Sequence, residues 1–290
     1  MVTPFDSDLN IDSGAYRAMI AWYLEHKASG LYACCLSSEM FHLDNEERVL
    51  LVREAVQAAG GRVPVAATGN LGANIDEHIQ LSRQMAEAGA DVVMLVVPDF
   101  LDSDDELERY YMTLAEQVDA PLGLYECPVP RSFHLSVDLV ARLARTGRFV
   151  AYKETSCEID IIRAHLAATA GTPLAILQAN TPYMLDALLA GSPGSMTIAA
   201  IWIPDLVAAV IDKVRANDPA AERLHAHLCA LKLAQRSVHP IGSKYLLSKR
   251  GVPIAPRGRA VRALRGETLR ALDLAAQTWF DERGELLLKL

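Results

Sequence analysis

The chain has 290 residues, of which 51% are hydrophobic and 22% charged, with a net charge of −8 and a pI near 5.5. This composition is that of a soluble globular protein with a sizeable core, and the length suits one large α/β barrel or two smaller domains. It excludes a nucleic-acid footprint, which needs basic clusters. The longest apolar stretch, SMTIAAIWIPDLVAAVI, is broken by Pro204 and Asp205 and falls short of the roughly 20 residues of a membrane span.

In chain order, short apolar runs alternate with helical patterns. The runs are VTPF (2–5), LYACCL (31–36), VPVAAT (63–68), DVVMLVV (91–97), PLGLY (121–125), FVAYK (149–153), LAILQ (174–178) and SMTIAA (195–200). Their starts are spaced by roughly 20–30 residues, the length of one βα unit. Between them, apolar residues recur at spacings of three and four. EERVLLVREAVQAAGG begins at Glu46 and stops at a glycine pair. NIDEHIQLSRQMAEAGA opens on Asn74 with Glu77 three positions later and ends at Gly89; SVDLVARLARTG repeats the device with Ser136 and Gly147. These are capping-box starts and glycine ends. DSDDELERYY places acids at a helix start, where they favour the positive end of the dipole.

Strand runs that are apolar throughout imply burial on both faces, hence a parallel sheet covered by helices. The pattern predicts a (β/α)8 TIM barrel over 1–217. An open doubly wound sheet, and with it a nicotinamide oxidoreductase, usually carries a glycine-rich phosphate turn, and no Gly-x-Gly-x-x-Gly occurs. Beyond residue 217 the pattern is helical only, in AAERLHAHLCALKLAQ, IGSKYLLSKRG and GETLRALDLAAQTWFDERGELLLKL. Residues 218–290 are expected to form a C-terminal helical domain packed on the barrel. MVTPF leaves little room for a first strand, which is either short or truncated relative to related chains. No signal peptide is visible at the start. Five Cys without a Cys-x-x-Cys pair predict reduced thiols and a cytoplasmic protein.

Barrel enzymes place their active sites at the C-terminal ends of the strands. Lys153 is the only lysine in that set, and it closes an apolar run. It either reaches water from a surface strand or is placed for chemistry. A lysine amine attacks a carbonyl when deprotonated, and an apolar cavity favours that form. The iminium then draws electrons from the neighbouring carbon, so carbon–carbon bonds form or break, or water is lost. Tyr125, on the adjacent run, is the candidate proton carrier. Ser37 and Ser38, with nearby backbone N–H groups, are candidates to hold a keto-acid carboxylate. The last run offers Thr197 as a further candidate substrate contact. Glu126 either orients a substrate hydroxyl or caps the following loop. His225 and His227 are two apart on a helix and point in different directions. No strand run carries the His-x-His or acidic clusters that metal barrels use, so neither a metal nor a cofactor is expected.

Five segments in this order resemble the dihydrodipicolinate synthase and N-acetylneuraminate lyase family, class I aldolases that form Schiff bases on a (β/α)8 barrel. They are VTPF, CLSSEMFHLDNEER, GADVVMLVVPDF, LYECPVPR and YKETS. The resemblance covers nearly the whole chain. It implies that Lys153 is the Schiff-base lysine and Tyr125 the proton relay. It also implies a small 2-oxo acid such as pyruvate as partner, and a homo-oligomer, tetramer or dimer.

The departures are specific. The family's Gly-Thr-Thr-Gly-Glu is Cys35, Leu36, Ser37, Ser38 and Glu39 here. The positions of two hydroxyls in the family's relay look like Leu36 and Phe100, neither of which carries a proton. Ser37 keeps the hydroxyl for the carboxylate. Pro130 stands where the family has a carboxylate-binding arginine, with Arg131 one position later. Gln178, Ala179 and Asn180 replace the acidic segment. A divergent Schiff-base lyase, aldolase or dehydratase, with a different second substrate is therefore expected, with Leu36, Phe100, Phe41, Met40 and Trp202 as pocket candidates. The alternative is a non-catalytic keto-acid-binding barrel that has lost part of the relay.

Overall fold

The computed structural model describes residues 1–236, 238–260 and 264–290. In chain order the elements are α1 (Ser13–Glu25), β1 (Leu31–Cys34), α2 (Asn45–Ala59), β2 (Val65–Thr68), α3 (Ile75–Glu87), β3 (Val92–Val96) and α4 (Asp104–Gln117). There follow β4 (Leu122–Tyr125), α5 (Val137–Arg145), β5 (Phe149–Glu154), α6 (Ile159–Ala168), β6 (Ala175–Gln178), α7 (Met184–Leu189) and β7 (Gly194–Ser195). The chain ends with α8 (Pro204–Arg215), α9 (Ala220–Arg236), α10 (Ile241–Lys249) and α11 (Gly266–Trp279). No described helix is long and apolar enough to cross a membrane.

The chain divides into two compact units, Pro64–Thr197 and Met1–Val63 with Ile198–Leu290. In Pro64–Thr197, strands β2 to β7 run parallel in sequence order, each hydrogen-bonded to the next. The residues of β2, β4 and most of β3 and β5 are buried on both faces, as a helix-covered parallel sheet requires. The helices between them start where local chemistry demands. Ser103 accepts from the Glu106 N–H, and Asp104, Asp105 and Glu106 fill the first turn of α4, where carboxylates meet the dipole. Asn74 accepts from the Glu77 N–H at 3.0 Å, and Ser136 from the Leu139 N–H at 3.1 Å. Behind the sheet, Tyr111 of α4 meets Phe149 of β5 edge-on, with centroids 6.1 Å apart.

In the other unit, α2 begins with a capping box of Asp44 and Glu47 and ends at Gly60, whose φ of +57° is a left-handed conformation that glycine adopts without strain. Trp202 stacks on Trp279 at 5.8 Å, and the buried Arg250 donates to Asp205 at 2.7 Å and to the Trp202 carbonyl at 3.0 Å. Lys244 of α10 is fully buried and donates to Glu39 Oε1 at 2.7 Å and to the Arg257 carbonyl at 2.6 Å. Glu39 itself has φ +62°, a left-handed conformation that costs a non-glycine residue roughly 1–2 kcal/mol. Its second oxygen accepts from the Arg259 and Ala260 N–H groups at 2.6 and 2.8 Å, which over-determines that strained position.

Three expectations from the pattern change. VTPF is not a strand: Val2 and Phe5 are buried, and Phe5 makes an isolated antiparallel bridge to Ile11. Of the run 195–200 only Ser195 lies in a strand, as the second residue of β7, and Ile198–Ile201 forms a 3-10 turn. The last helical pattern stops at Trp279, after which Phe280 bridges Leu286 antiparallel. Among the described residues the eight apolar runs yield seven strands. All five cysteines are thiols.

Candidate active site

Tyr125 is the last residue of β4 and stands in register with Lys153 of β5. Register neighbours on parallel strands present their side chains to the same face. The Lys153 Nζ accordingly lies 4.3 Å from the centroid of the Tyr125 ring. Both are buried, Lys153 at 8% exposure and Tyr125 at 2%. Two residues back, Gly123 shares that face. A Cβ there would sit 2.2 Å from Met94 Sδ and 3.1 Å from the Ala151 carbonyl, so glycine is what lets the Met94 side chain lie against β4.

The residues next in sequence project the other way and hold the strand ends together. Glu126 is buried and its carboxylate collects five donors. Oε1 accepts from the Tyr152 hydroxyl and from the Leu135 N–H at 2.9 Å. Oε2 accepts from the Thr155 N–H at 2.8 Å, the Thr155 hydroxyl at 3.2 Å and His134 Nδ1 at 3.2 Å. Burial pushes the Glu126 carboxyl up, but the bonds from His134, Tyr152, Thr155 and Leu135 outweigh it and hold the pKa below the usual value. The same hydrogen bond raises the pKa of His134. Glu126 thus takes the loop-capping role of the two left open by its position. Glu154 accepts from the Ser156 N–H at 2.8 Å and from the Gln178 amide, and burial raises its pKa. Asn180 donates to the Thr155 carbonyl at 3.0 Å.

Three further predicted residues lie in this unit. Thr197 is buried and shares a hydrogen bond with the Thr181 hydroxyl. Phe100 is 51% exposed and stacks on His78 at 6.1 Å. His78 belongs to a polar chain: Asn70 Nδ2 lies 2.9 Å from the Tyr110 hydroxyl, which lies 2.8 Å from His78 Nδ1, while His78 Nε2 meets the Gly72 carbonyl at 3.1 Å. With Tyr110 donating to Nδ1, the ring is neutral and carries its proton on Nε2; burial lowers its pKa in the same sense. Arg131 donates to Asp102, to the Leu101 carbonyl at 2.7 Å and to the Pro98 carbonyl at 3.2 Å. Its guanidinium ties down the loop after β3.

In the unit of residues 1–63 and 198–290, Leu36, Ser37 and Ser38 form a 3-10 turn after β1. Ser38 is committed locally: its Oγ accepts from the Cys35 N–H at 2.6 Å and donates to the Cys35 carbonyl at 2.9 Å. Ser37 Oγ instead lies 3.0 Å from His239 Nε2. His239 was not singled out from the sequence. The one signal there is HPIGS, a proline-glycine break in a stretch otherwise read as helix. Met40 and Trp202 are fully buried and pack in the core of this unit, whereas Phe41 is 40% exposed. Among the described residues no group of three or more His, Cys, Asp or Glu side chains is placed to hold a metal ion.

Residues 1–263 match the dihydrodipicolinate synthetase family. The chain belongs to that family. It is 32% identical over 260 residues to a 4-hydroxy-tetrahydrodipicolinate synthase of Alkalilimnicola ehrlichii, covering 87% of each chain. It is 29% identical over 273 residues to one of Pelobacter propionicus, covering 91% of this chain and 93% of that one. Among solved structures, a dihydrodipicolinate synthase of Bacillus anthracis superposes with a TM-score of 0.89 at 26% identity over 96% of both chains. A prophage protein of the same family from E. coli K12, solved in complex with pyruvate, gives a TM-score of 0.87 at 23% identity, covering 96% of this chain and 95% of that one. The fold is therefore the family's (β/α)8 barrel type with C-terminal helices. Dihydrodipicolinate synthetase family members are aldolase-type lyases.

Proposed function

We propose that this family member is a Schiff-base lyase of 2-oxo acids, an aldolase or dehydratase, with Lys153 as the nucleophile and Tyr125 as the proton carrier. The Lys153 amine attacks the ketone carbon of pyruvate or a longer 2-oxo acid. The carbinolamine loses its hydroxyl as water, with the proton supplied from Tyr125, and leaves an iminium. Loss of a proton or of a carbon fragment from the neighbouring carbon then gives the enamine, and the reverse steps return the amine. The observation that carries this reading is the buried amine 4.3 Å from the Tyr125 ring on the adjacent strand. Pyruvate bound to the E. coli relative is consistent with the substrate class.

The carboxylate is assigned to Ser37 by its motif position, with Thr197 as a further substrate contact. Ser38 is less suited, since its hydroxyl already serves Cys35. The second substrate is assigned as different from that of the synthases named above. Leu36 and Phe100 supply no hydroxyl, and Arg131 is occupied by Asp102 and two loop carbonyls. The same reading takes the protein as a cytoplasmic homo-oligomer, which sedimentation velocity tests.

The deciding experiment is borohydride reduction in the presence of pyruvate, followed by peptide mass spectrometry. A reduced pyruvyl adduct on Lys153, absent in Lys153→Ala, is expected. Intact protein without an adduct at that residue sinks the proposal.

A further inference from the structure

Bridge partners in a parallel ladder present their side chains to one face of the sheet. Val96 of β3, Tyr125 of β4, Lys153 of β5, Leu177 of β6 and Gly194 of β7 form one such row. Lys153 therefore has two register neighbours, the Tyr125 phenol on one side and the Leu177 side chain on the other. Along β6 burial alternates: Ala175 and Leu177 are partly exposed, while Ile176 and Gln178 are buried. The face that carries the amine is thus the open one at β6. Leu177 leans towards β7, where a Cβ on Gly194 would sit 3.4 Å from its Cδ2. The polar side chains nearby are engaged elsewhere. The Gln178 amide donates to Glu154, and its side-chain oxygen accepts from the Asn180 N–H at 2.6 Å. Ser195 donates to the Gln178 carbonyl at 2.6 Å, and Ser192 to the Ile176 carbonyl at 2.7 Å. What stands in register beside the amine on that side is a branched hydrocarbon.

We propose that Leu177 is a specificity-determining residue beside Lys153, selecting 4-hydroxy-2-oxo acids whose tail beyond C4 is alkyl rather than hydroxylated. This rests on the Schiff-base reading given above and names the class of its second substrate, a short aliphatic aldehyde. In the cleavage direction, the C3–C4 bond breaks and its electron pair enters the iminium to give the enamine. The C4 hydroxyl proton passes to the Tyr125 phenolate left by the loss of water, and the aldehyde departs. Tyr125 returns that proton to C3. Water then adds at C2, gives its spare proton to the phenolate, and releases pyruvate and the amine. A hydroxylated tail laid against Leu177 gives up its water with no partner in return, a penalty that an alkyl tail does not meet. An apolar wall rejects an added hydroxyl by about 10²-fold at most, which sets the scale.

The test uses the full chain and two probes of equal carbon count, 4-hydroxy-2-oxohexanoate and 4,5,6-trihydroxy-2-oxohexanoate, which differ only in the hydroxyls at C5 and C6. Disappearance of each is followed by proton NMR, which reads cleavage and dehydration alike. The wild type should favour the alkyl probe by about 10–100-fold in kcat/KM. Leu177→Asn, close to leucine in size, should lower that ratio about ten-fold. Leu177→Met should keep it within about three-fold. A merely structural role for Leu177 would slow both probes by the same factor and leave the ratio where it was. Should Leu177→Asn fail to fold, Leu177→Thr keeps a branched shape that strands favour and brings one hydroxyl, with the ratio lowered about three-fold. A wild type that consumes neither probe or prefers the trihydroxy acid, or a ratio unmoved by the polar substitution, with the pyruvate adduct on Lys153 still formed, would overturn the role of Leu177 and leave the lyase reading intact. No pyruvate adduct on wild-type Lys153 would overturn both.

Discussion

Replacing Glu126 by Gln separates its structural role from a catalytic one. The carboxylate faces donors only: the Tyr152 hydroxyl and Leu135 N–H on Oε1, and the Thr155 N–H and hydroxyl with His134 on Oε2. An amide turns one of those oxygens into a donor. The hydroxyls and the imidazole can reverse their bonds, but a backbone N–H cannot. Whichever way the amide sits, either Leu135 or Thr155 loses its acceptor in a buried site, at about 1–3 kcal/mol. The remaining bonds also lose their charge assistance, so the total expected is about 2–4 kcal/mol. Urea unfolding at pH 7 reads this directly as a lower midpoint at unchanged slope. The pH dependence follows from the depressed pKa of Glu126. Its contribution is fully present above the unfolded carboxyl's pKa of about 4.3 and is lost as pH falls through the lower folded value. The gap between wild type and variant should therefore close on acidification below that point. A variant within about 0.5 kcal/mol of wild type, with pyruvate chemistry impaired instead, would refute the capping role and favour a substrate contact.

His134 titrates in the opposite sense. Its pKa is raised by the bond to Glu126, so its contribution is present below about pH 6.5 and is lost as pH rises through the folded value. Because the ring is 40% exposed, solvent screening keeps the effect under about 1 kcal/mol. Stability measured at pH 6 and 8.5 should show it in the wild type and not in His134→Ala. Lys244→Met leaves the Glu39 carboxylate buried without its ammonium and should cost about 3–5 kcal/mol by urea unfolding, with part recovered when Glu39 is also made apolar. Tyr125→Phe keeps the ring beside Lys153 while removing the proton. Exchange of pyruvate methyl protons with D2O, followed by NMR, should slow by roughly 10²–10⁴-fold, with borohydride trapping on Lys153 still detectable.

The local signals in the sequence translated well because they are local. Asn74 with Glu77, and Ser136, each complete a cap within three residues. The strand runs between 63 and 178 also became β2 to β6, since each is apolar, short and bounded by turn residues. The same rule failed at both ends. VTPF buries Val2 and Phe5 without pairing as a strand, and SMTIAA carries a polar Ser195 and Thr197, leaves β7 after Ser195 and winds into a turn at Ile198. Burial of an apolar run therefore does not require a ladder. What the sequence could not give were bonds between distant residues. The Glu126 carboxylate meets Tyr152 and Thr155, 26 and 29 residues away, and Ser37 meets His239 across 202 residues. No spacing rule reaches that far.

The strand alternation accounts for how the proposed nucleophile and two structural carboxylates share so short a stretch. Tyr125–Glu126 and Lys153–Glu154 are consecutive pairs at the ends of adjacent strands. Consecutive strand residues face opposite sides. The amine and the phenol ring meet on one side at 4.3 Å. On the other side, Glu126 binds the Tyr152 hydroxyl, Tyr152 packs edge-on against His165 of α6, and Glu154 takes the Gln178 amide. A carboxylate placed against a lysine favours its charged form, which is no nucleophile. Directing both acids to bonds on the helix side lets the strand ends be stitched together by charged groups without giving those acids to the amine. Inserting one residue between Tyr152 and Lys153 would exchange the faces of Lys153 and Glu154, taking the amine away from the Tyr125 ring and the carboxylate away from the Gln178 amide together.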